Sequence, residues 1–387
     1  MDLTGDVYAC TQNLLNKIEK EFKRNGGQPL DTPVFERTDV LLGKYGDEAD
    51  TKLIYKIEEN GSEPLALRYD LTIPFVRYIK ENKIKNMRRY SIGKVYRRDQ
   101  PTVAQGRFRE FYQADFDIVG ETQDSMIAEG LLLKMACKIL DDYKIEYQVL
   151  INDVSNVKTM IQDTLGYQNW KVLCPIIDKL DKKSFTDLIP EFLSVDSKLD
   201  IDKLRAILES PEICNKESKC NFEKFQRYAK AFGFEDKIKF SNSLVRGLDY
   251  YTGFIWEIKT SRSQSSIISG GRYDTLLGVP AVGISFGVTR MVSLLKFCEE
   301  PQKGKTYFVT TVGDVTLDEK ITIIAKLESL YPDATIMYSL SQEPKKLGKV
   351  LSTCKDMCVI IAADELRDGY IIIKDMKAST QEKVQIF

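Results

Sequence analysis

The stretch VRGLDYYTG, residues 245–253, places an arginine, an aspartate and two adjacent tyrosines directly before the apolar run FIWEI. Arginine offers a fixed cation with a planar fork of donors, and tyrosine hydroxyls donate or accept hydrogen bonds. Together they could bind an anion and recognise a polar ligand. If the stretch continues the following strand, alternation places Tyr250 in the core with Trp256 and turns Tyr251 to the opposite face beside Gly253. The alternative is a structural ion pair with a tyrosine that covers the edge of a core.

A second chemical cluster lies in RRYSIGKVYRRDQPTVAQGRFREFYQADFDIVG, residues 88–120. Two strand-like segments flank QPTVAQG, whose proline and glycine predict a hairpin loop. Beyond the loop one strand face is apolar, and the other carries charge and one ring: Arg107, Arg109, Phe111, Gln113, Asp115 and Asp117. Arg97 and Arg98 join this face across the hairpin, and arginine forks suit phosphate groups. The pattern favours an anion-binding sheet face over a solvated face with surface ion pairs.

Two segments with closely spaced glycines follow. ISGGRYD, residues 268–274, puts consecutive glycines in a strand, where a ligand or another backbone often approaches closely. AVGISFGVTRM, residues 281–291, predicts a strand followed by Gly287, Arg290 and a helix. Its GISFG matches the nucleophile-elbow pattern, but an elbow serine needs a histidine base, so Ser285 is interpreted as a strand residue.

The 387 residues contain no histidine, which removes several classes of chemistry. Ser-His-Asp and Cys-His catalysis, H-E-x-x-H metal sites and two-cysteine-two-histidine fingers all require it. Catalysis must therefore use carboxylates, arginines, lysines, backbone dipoles or metal-bound substrates. The sequence also lacks a P-loop and a G-x-G-x-x-G fingerprint, so the commonest nucleotide folds do not account for the arginines.

The composition is that of a soluble protein with two or three domains. The net charge of −1 excludes a global basic field, although a local patch could still bind a partner such as tRNA. Apolar runs of 18 residues and a signal-peptide pattern are absent, and the 8 cysteines lack C-x-x-C spacing. We expect no membrane association, reduced thiols and a cytoplasmic location.

The elements that must position these residues change character along the chain. Apolar residues recur at helical spacing from Tyr8 to Lys23, and a longer helix is predicted from Ser125 to Asp142. Residues 151–236 are charge-rich and helical, like an inserted module. After the polar linker EEPQKGK, strands alternate with helices from residue 305, which predicts a compact α/β domain.

Six segments, in family order and covering nearly the whole chain, resemble histidyl-tRNA synthetases, which are class II aminoacyl-tRNA synthetases, and the eukaryotic-type branch in particular. They are DTPVFE in the motif-1 region, LRYDLT, KVYRRDQPTVAQGRFREFYQADFDIVG (motif 2), RGLDYYTG, SGGRYDTLLG and VGISFGVTR (motif 3). RGLDYYTG and SGGRYD are specific to this synthetase and its paralogues, whereas motifs 2 and 3 alone indicate class II. The tail from residue 305 resembles the family's anticodon-binding domain.

The resemblance implies an α+β fold in which an antiparallel class II sheet builds the active site. The implied catalytic core has two parts, residues 1–150 and 237–300, separated by an inserted helical domain at 151–236. An anticodon-binding α/β domain follows at 305–387. The implied activity is ATP-dependent activation of L-histidine to histidyl-adenylate and transfer to the 3′ end of tRNA(His), by a homodimer in which Mg²⁺ is carried by ATP.

The resemblance also assigns an ATP site and the catalytic arginines. The ATP set is Arg97, Asp99, Arg107, Phe111 and Arg290. Arg97 is similar to the arginine on the α-phosphate, Phe111 to the ring that stacks on adenine, and Asp99 to a glutamate that reads the adenine amino group. Arg107 and Arg290 resemble further triphosphate contacts. The implied catalytic residues are Arg97, Arg246 and Arg290.

The implied histidine site has a part for each group of the substrate. Its residues are Asp70, Thr72, Gln113, Asp117, Arg246, Tyr250, Tyr251 and Tyr273. The first three match groups at the α-ammonium, and Asp117 and Tyr251 match the pair that grips the imidazole, with Tyr273 in the same pocket. Arg246 matches the signature arginine at the carboxylate and α-phosphate.

One departure and one alternative remain. Thr289 stands where the family commonly has a glutamate near Arg290. The alternative function is that of a catalytically inactive paralogue, acting as a tRNA or histidine sensor or as a regulatory subunit. The tail from residue 305 and the retained catalytic residues favour the ligase.

Overall fold

A computed structural model describes the chain over residues 3–42, 54–57, 63–98, 108–120, 126–246, 250–295, 305–338, 351, 354 and 356–386, without the side chain at position 264. The chain divides into two compact units, Met1–Cys298 and Glu299–Phe387. Within the described ranges, every helix is too short or too polar to cross a bilayer.

The larger unit is built on an eight-stranded sheet. Its described strands are β1 (Gln28–Pro29), β2 (Phe35–Arg37), β3 (Lys56–Ile57), β4 (Leu65–Leu67), β5 (Met87–Tyr96), β6 (Glu110–Val119), β7 (Gln148–Asp153), β8 (Ile238–Phe240), β9 (Phe254–Thr260), β10 (Ser263–Arg272) and β11 (Ala281–Phe286). The strand order is β1-β5-β6-β11-β10-β9-β7-β8, and β2, β4 and β3 form a separate small sheet. Neighbours in the large sheet are antiparallel except β1–β5 and β7–β8 at its edges. The α+β prediction is confirmed.

Helices cover the sheet and fill the connection between β7 and β8. They are α1 (Gly5–Arg24), α2 (Thr38–Leu42), α3 (Thr72–Glu81), α4 (Ile127–Asp142), α5 (Val154–Thr159), α6 (Trp170–Ile177), α7 (Phe185–Val195), α8 (Ile201–Glu209), α9 (Lys216–Phe232), α10 (Asp274–Leu277) and α11 (Val288–Leu295), with a π-helix at Met160–Leu165 and 3₁₀ turns at Asp178–Asp181 and Glu235–Lys237. The connection from residue 154 to 237 contains helix and turn but no strand.

Apolar spacing explains how α1 packs on the sheet. Leu14, Ile18 and Phe22 lie one turn apart and are fully buried. The Phe22 ring contacts Phe116 of β6 with ring centroids 5.2 Å apart. The helix ends at Arg24, before a glycine pair, close to the predicted limit at Lys23. The predicted helix from Ser125 to Asp142 is observed as α4, and Ser125 itself lies outside the described residues.

The smaller unit is an α/β domain with a five-stranded sheet. Its described elements are β12 (Thr306–Val312), α12 (Leu317–Leu330), β13 (Thr335–Tyr338), β14 (Met357–Ala362), α13 (Ala363–Arg367), β15 (Tyr370–Asp375) and β16 (Thr380–Gln385). The first three strands in the order β13-β12-β14-β15-β16 are parallel, and a terminal hairpin adds β15 and β16 antiparallel.

A buried ion pair joins α4 to the end of β10. Glu129 is 0% exposed, and its Oε1 lies 2.6 Å from Nη2 of Arg272 and accepts a hydrogen bond from Nε at 2.7 Å. Because Arg272 directly precedes Tyr273, this pair fixes the point where the chain leaves β10.

Removing one partner of a buried pair leaves an uncompensated charge. We expect Glu129→Ala to lower the free energy of unfolding by about 3–5 kcal/mol, measured by urea denaturation. Glu81→Ala is the matched control, because Glu81 is an exposed helix residue and its partner Arg77 keeps a second bond to Glu36; that change should cost at most about 1 kcal/mol. Equal costs for the two variants would show that the buried pair does not hold α4 to the sheet.

Candidate functional site

Two adjoining cavities open on one face of the large sheet. The larger cavity, of about 200 Å³, is lined by Arg97, Phe108, Phe111, Gln113, Arg246, Ser266, Ile267, Ile268, Ser269, Ser285, Gly287, Thr289 and Arg290. The smaller cavity, of about 110 Å³, is lined by Asp70, Thr72, Arg97, Gln113, Asp115, Asp117, Tyr250, Tyr251, Ser269, Gly270, Tyr273, Gly283, Ile284 and Ser285. Arg97, Gln113, Ser269 and Ser285 belong to both, so one ligand group at this junction could touch both cavities.

The larger cavity combines arginines with an aromatic ring. The Arg97 guanidinium carbon lies 5.2 Å from the Phe111 ring centroid, and Arg97 Nε donates to the carbonyl of Tyr69 at 3.0 Å. Arg290 Nη1 donates to the carbonyl of Ser266. These bonds hold two cations beside a planar ring, an arrangement suited to a ligand with an aromatic part and several negative charges.

Arg246, at the start of the opening stretch, is held by two carboxylates from different parts of the chain. Its Nη1 donates to Glu257 Oε1 of β9 at 2.6 Å, and its Nε lies 3.4 Å from Asp178 Oδ1 in the first 3₁₀ turn. The side chain remains 45% exposed. Arg246 lines the larger cavity together with Arg97 and Arg290, and it is not among the residues around the smaller one.

The smaller cavity is rich in carboxylates and tyrosines. Asp70 precedes α3 and accepts the N–H of Ile73 through Oδ1 at 3.0 Å, which fixes the first turn of the helix. Thr72 begins that helix. Such a cavity suits a ligand with an ammonium group and further N–H donors.

A buried network holds Asp117 at the floor of the smaller cavity. Tyr273 donates its hydroxyl hydrogen to Asp117 Oδ1, and Arg89 Nη2 of β5 forms an ion pair with Oδ2 at 2.8 Å. Burial, opposed by the attraction of Arg89 and assisted by the neighbouring charge of Asp115, raises the pKa of Asp117 to about 6. The ion pair with Arg89 favours the ionised carboxylate, which can accept a hydrogen bond from a ligand.

Asp115 fixes the orientation of Gln113 on the same strand. The Gln113 amide nitrogen donates to Asp115 Oδ1 at 3.0 Å, so the amide oxygen is directed away from this carboxylate. That oxygen lies 3.5 Å from Arg97 Nη2. Burial raises the pKa of Asp115 as well, and the arginines oppose the shift. Gln113 therefore offers an acceptor at the junction of the two cavities.

The tyrosine pair differs from the alternation expected for it. Residues 250–253 are not part of β9, which begins at Phe254, so strand alternation does not apply to them. Tyr250 and Tyr251 both line the smaller cavity, with ring centroids 4.2 Å apart. The prediction that Tyr250 packs into the core with Trp256 is wrong. Tyr251 lines the cavity, and its contact with a ligand stays a prediction.

Glycines allow the floor of the smaller cavity to close tightly. A Cβ built on Gly283 of β11 would lie 2.2 Å from Asp117 Oδ1, and one on Gly271 would lie 2.7 Å from the Tyr251 ring. One on Gly270 would lie 2.6 Å from the Trp256 ring. The consecutive glycines thus mark close approach, as predicted, and Ser285 is a residue of β11, as predicted.

Most of the residues proposed from sequence lie around these cavities. Asp70, Thr72, Gln113, Asp117, Tyr250, Tyr251 and Tyr273 line the smaller one, and Arg97, Phe111, Arg246 and Arg290 line the larger one. Asp99 and Arg107 lie outside the described residues. Asp115 and Asp117 are each 2% exposed, so the alternative of a solvated face with surface ion pairs is wrong for this strand.

Three side chains that hold the site were given no role from the resemblance: Arg89, Asp115 and Glu257, of which Asp115 was placed on the polar face of its strand. The sequence does indicate a position for Arg89, because residues 89 and 117 are equally far from residue 103, the centre of the predicted loop QPTVAQG. A symmetric hairpin therefore pairs Arg89 with Asp117, as observed between β5 and β6. Asp115 shares the parity of Asp117. Glu257 could not be found this way, because its partner Arg246 is not in a strand.

The sequence and fold are similar to those of known proteins. The family model described as histidyl-tRNA synthetase matches residues 2–291. The chain is 36% identical to the mitochondrial histidine–tRNA ligase of Bos taurus, over 100% of this chain and 84% of that protein. It is 34% identical to the cytoplasmic histidine–tRNA ligase of Dictyostelium discoideum, over 97% and 85%. The crystal structure of histidyl-tRNA synthetase from Nostoc has a TM-score of 0.77 at 23% identity, with 98% of this chain and 94% of that chain covered, which shows a common fold.

The contact between Gly283 and Asp117 gives a test of the cavity floor. We expect Gly283→Ala to lower the free energy of unfolding by about 1–3 kcal/mol, because the added methyl group must displace the carboxylate or β11. Urea denaturation measures the change. In an Asp117→Ala background the nearest obstacle is gone and the Tyr273 ring, at 3.1 Å, is the next, so the same substitution should cost less. Identical costs in both backgrounds would contradict the close contact.

Proposed function

The chain belongs to the histidyl-tRNA synthetase family, and from that premise we propose how its residues perform the reaction. It is a histidine–tRNA ligase. Members of this family use ATP and bind histidine and tRNA. The observation that carries the proposal is the junction of the two cavities, where Arg97 and Gln113 are shared. The two substrates must meet at such a point.

We assign the smaller cavity to L-histidine. Asp70, Thr72 and the Gln113 amide oxygen would receive the α-ammonium group, and Asp117 and Tyr251 would bond the two ring nitrogens, with Tyr250 and Tyr273 completing the walls. Its ion pair with Arg89 favours an ionised Asp117, which would accept an N–H of the imidazole. A site that bonds both nitrogens rejects analogues without them by about 10⁴–10⁵, so no editing site is required.

We assign the larger cavity to ATP. Phe111 would stack on adenine, and Arg97 and Arg290 would contact the α-phosphate and the γ-phosphate side. Asp99 and Arg107, beyond the described residues, are proposed for the adenine amino group and the triphosphate. The contact between Arg97 and the Phe111 ring supports this assignment, because it places a cation beside the ring that would stack on the base, close to where the phosphates would lie.

The activation step then needs positioning and neutralised charge rather than a base. One carboxylate oxygen of histidine attacks the α-phosphorus, the bond to the bridging oxygen breaks, and pyrophosphate leaves with the electron pair. Arg97 and Arg246 stabilise the negative charge that grows at the α-phosphate. The bonds of Arg246 to Glu257 and Asp178 hold its guanidinium ready at this point. Such chemistry runs without a histidine side chain.

Mg²⁺ enters this site, in our proposal, on the phosphates of ATP. Among the residues that the structure describes, no group of three or more acidic or cysteine side chains could hold a metal ion. The larger cavity instead supplies arginines, which bind the same phosphates from the side of the protein. When bound, the ion would add positive charge to the triphosphate.

Transfer to tRNA(His) follows in the same place. A ribose hydroxyl at the 3′ end attacks the carbonyl carbon of histidyl-adenylate, AMP leaves, and a phosphate oxygen of the adenylate takes the proton. We propose that the helical stretch 151–236 is an inserted domain between the two parts of the catalytic core, 1–150 and 237–300. We propose further that residues 305–387 bind the anticodon, as their α/β fold suits a separate recognition domain.

We also propose a homodimer in the cytoplasm. The motif-1 region carries Phe35 on β2, which is 55% exposed, and the preceding helix carries Tyr8 at 53%. We take these two exposed rings as parts of the interface, since aromatic side chains are enriched at subunit contacts. Sedimentation velocity would separate dimer from monomer.

Histidine-dependent exchange between ATP and pyrophosphate tests the activation step. We expect the protein to catalyse it, and Arg97→Ala to lower kcat by about 100- to 1,000-fold, because a preorganised cation at the developing charge is lost. Arg262→Ala is the control, since Arg262 is exposed in the turn between β9 and β10, and should leave the rate unchanged. A protein that binds tRNA(His) without exchange would instead support the sensor or regulatory alternative.

Separate Michaelis constants test the assignment of the cavities. We expect Asp117→Asn to raise the KM for histidine by about 10- to 100-fold, through loss of a bond to a charged acceptor, with the KM for ATP unchanged. Phe111→Ala should do the reverse and raise the KM for ATP about tenfold, because base stacking is lost. If each variant changed the other constant, the assignments would have to be exchanged.

A further inference from the structure

Arg89 is a fully buried arginine directly behind the smaller cavity. It is 0% exposed and is not among the residues that line either cavity. Its Nη2 makes the ion pair with Asp117 Oδ2 at 2.8 Å and also donates to the carbonyl of Leu71 at 3.0 Å. Its guanidinium carbon lies 4.3 Å from the Phe75 ring centroid. The side chain is thus fixed on three sides.

The charges around Asp117 explain why a cation is needed there. Asp115 stands two residues away on the same strand, and Asp70 faces the same cavity from the turn before α3. Tyr251 and Tyr273 are neutral, since burial raises their pKa, and Arg97 lines the same cavity as a second cation. Of the described residues, Arg89 alone forms an ion pair with Asp117. Without it, a carboxyl group that is 2% exposed beside other carboxylates would take up a proton.

The hydrogen bond from Arg89 to the carbonyl of Leu71 lies at the end of the cavity opposite Asp117. Leu71 lies between Asp70 and Thr72, the residues proposed for the α-ammonium group. Nη2 of Arg89 therefore forms an ion pair with the carboxylate at the ring end and donates a hydrogen bond to the backbone at the ammonium end. The distance between these two ends sets the length of amino acid that the cavity accepts.

We propose that Arg89 is a positioning residue for substrate recognition, which keeps Asp117 charged and ties it to the turn that binds the α-ammonium group. This inference rests on the proposed function, because it concerns the recognition of histidine. Arg89 touches no substrate and acts through Asp117 and Leu71. An ionised Asp117 accepts an N–H from the imidazole, whereas a protonated one would present a donor.

The test is the KM for histidine, in pyrophosphate exchange, of Arg89→Met and Arg89→Lys between pH 6 and 9. Loss of an opposite charge in contact raises a carboxyl pKa by about 1–3 units. We expect the KM of Arg89→Met to exceed the wild-type value about tenfold at pH 7, with the ratio falling toward pH 9 as Asp117 ionises. The protonation of free histidine also changes with pH, but it affects the variant and the wild type equally and so cancels in the ratio of their KM values. Arg89→Lys keeps the charge, but its shorter side chain does not place a nitrogen where Nη2 contacts both Asp117 and Leu71, so its ratio should be raised and independent of pH.

Asp117→Asn supplies the control background. If Arg89 acts through Asp117, the KM for histidine of the double variant, divided by that of Asp117→Asn alone, should not depend on pH. A ratio for Arg89→Met that is flat with pH, or the same pH dependence in the Asp117→Asn background, would overturn the inference. Where circular dichroism shows Arg89→Met unfolded, Arg89→Lys decides, and a pH-dependent ratio for it overturns the inference. Absence of exchange by the wild-type protein would instead refute the proposed function.

Discussion

A charge that is removed from water is stable only beside an opposite charge or a full set of hydrogen bonds. In this protein that constraint acts on β6, where Asp115 and Asp117 are almost inaccessible to solvent. Arg89 of β5, Tyr273 after β10 and the Gln113 amide satisfy these carboxylates, and Gly283 of β11 leaves room for one of them. The strand order β5-β6-β11-β10 brings all of these groups to one place. The sheet topology and the polarity of the site are therefore two aspects of one requirement.

The parts of the site that follow from strand geometry could be predicted from sequence. Alternation along β6 correctly separated Gln113, Asp115 and Asp117 from the apolar Phe116, and the glycine pair correctly indicated close approach. The error at Tyr250 has a physical cause. The chain bends at Gly253, and Thr252 donates its N–H to the carbonyl of Arg272 at 2.7 Å, so the ladder of β9 starts only after the tyrosines. Alternation holds only where the backbone is extended.

Contacts between distant segments could not be derived, because no local pattern encodes them. The pairs Glu129–Arg272 and Arg246–Asp178 join residues that are far apart in sequence, and only the folded chain brings them together. Thr289 is a further case. Its hydroxyl accepts the backbone N–H of Tyr112 at 2.9 Å, so the residue at the family's glutamate position secures the start of β6. The departure noted in the sequence has a structural use in this chain.

The helical stretch between β7 and β8 is continuous in sequence, but its side chains contact residues outside the stretch. Both ends of its 3₁₀ turn, Asp178–Asp181, contact residues outside the stretch. Asp178 forms an ion pair with Arg246, and Asp181 Oδ1 lies 2.5 Å from Nζ of Lys259 in β9. If this stretch were replaced by the corresponding stretch of a relative, the replacement would need the same two aspartates to keep these ion pairs. Two aspartates of this stretch thus make ion pairs with residues that lie outside it, Arg246 and Lys259.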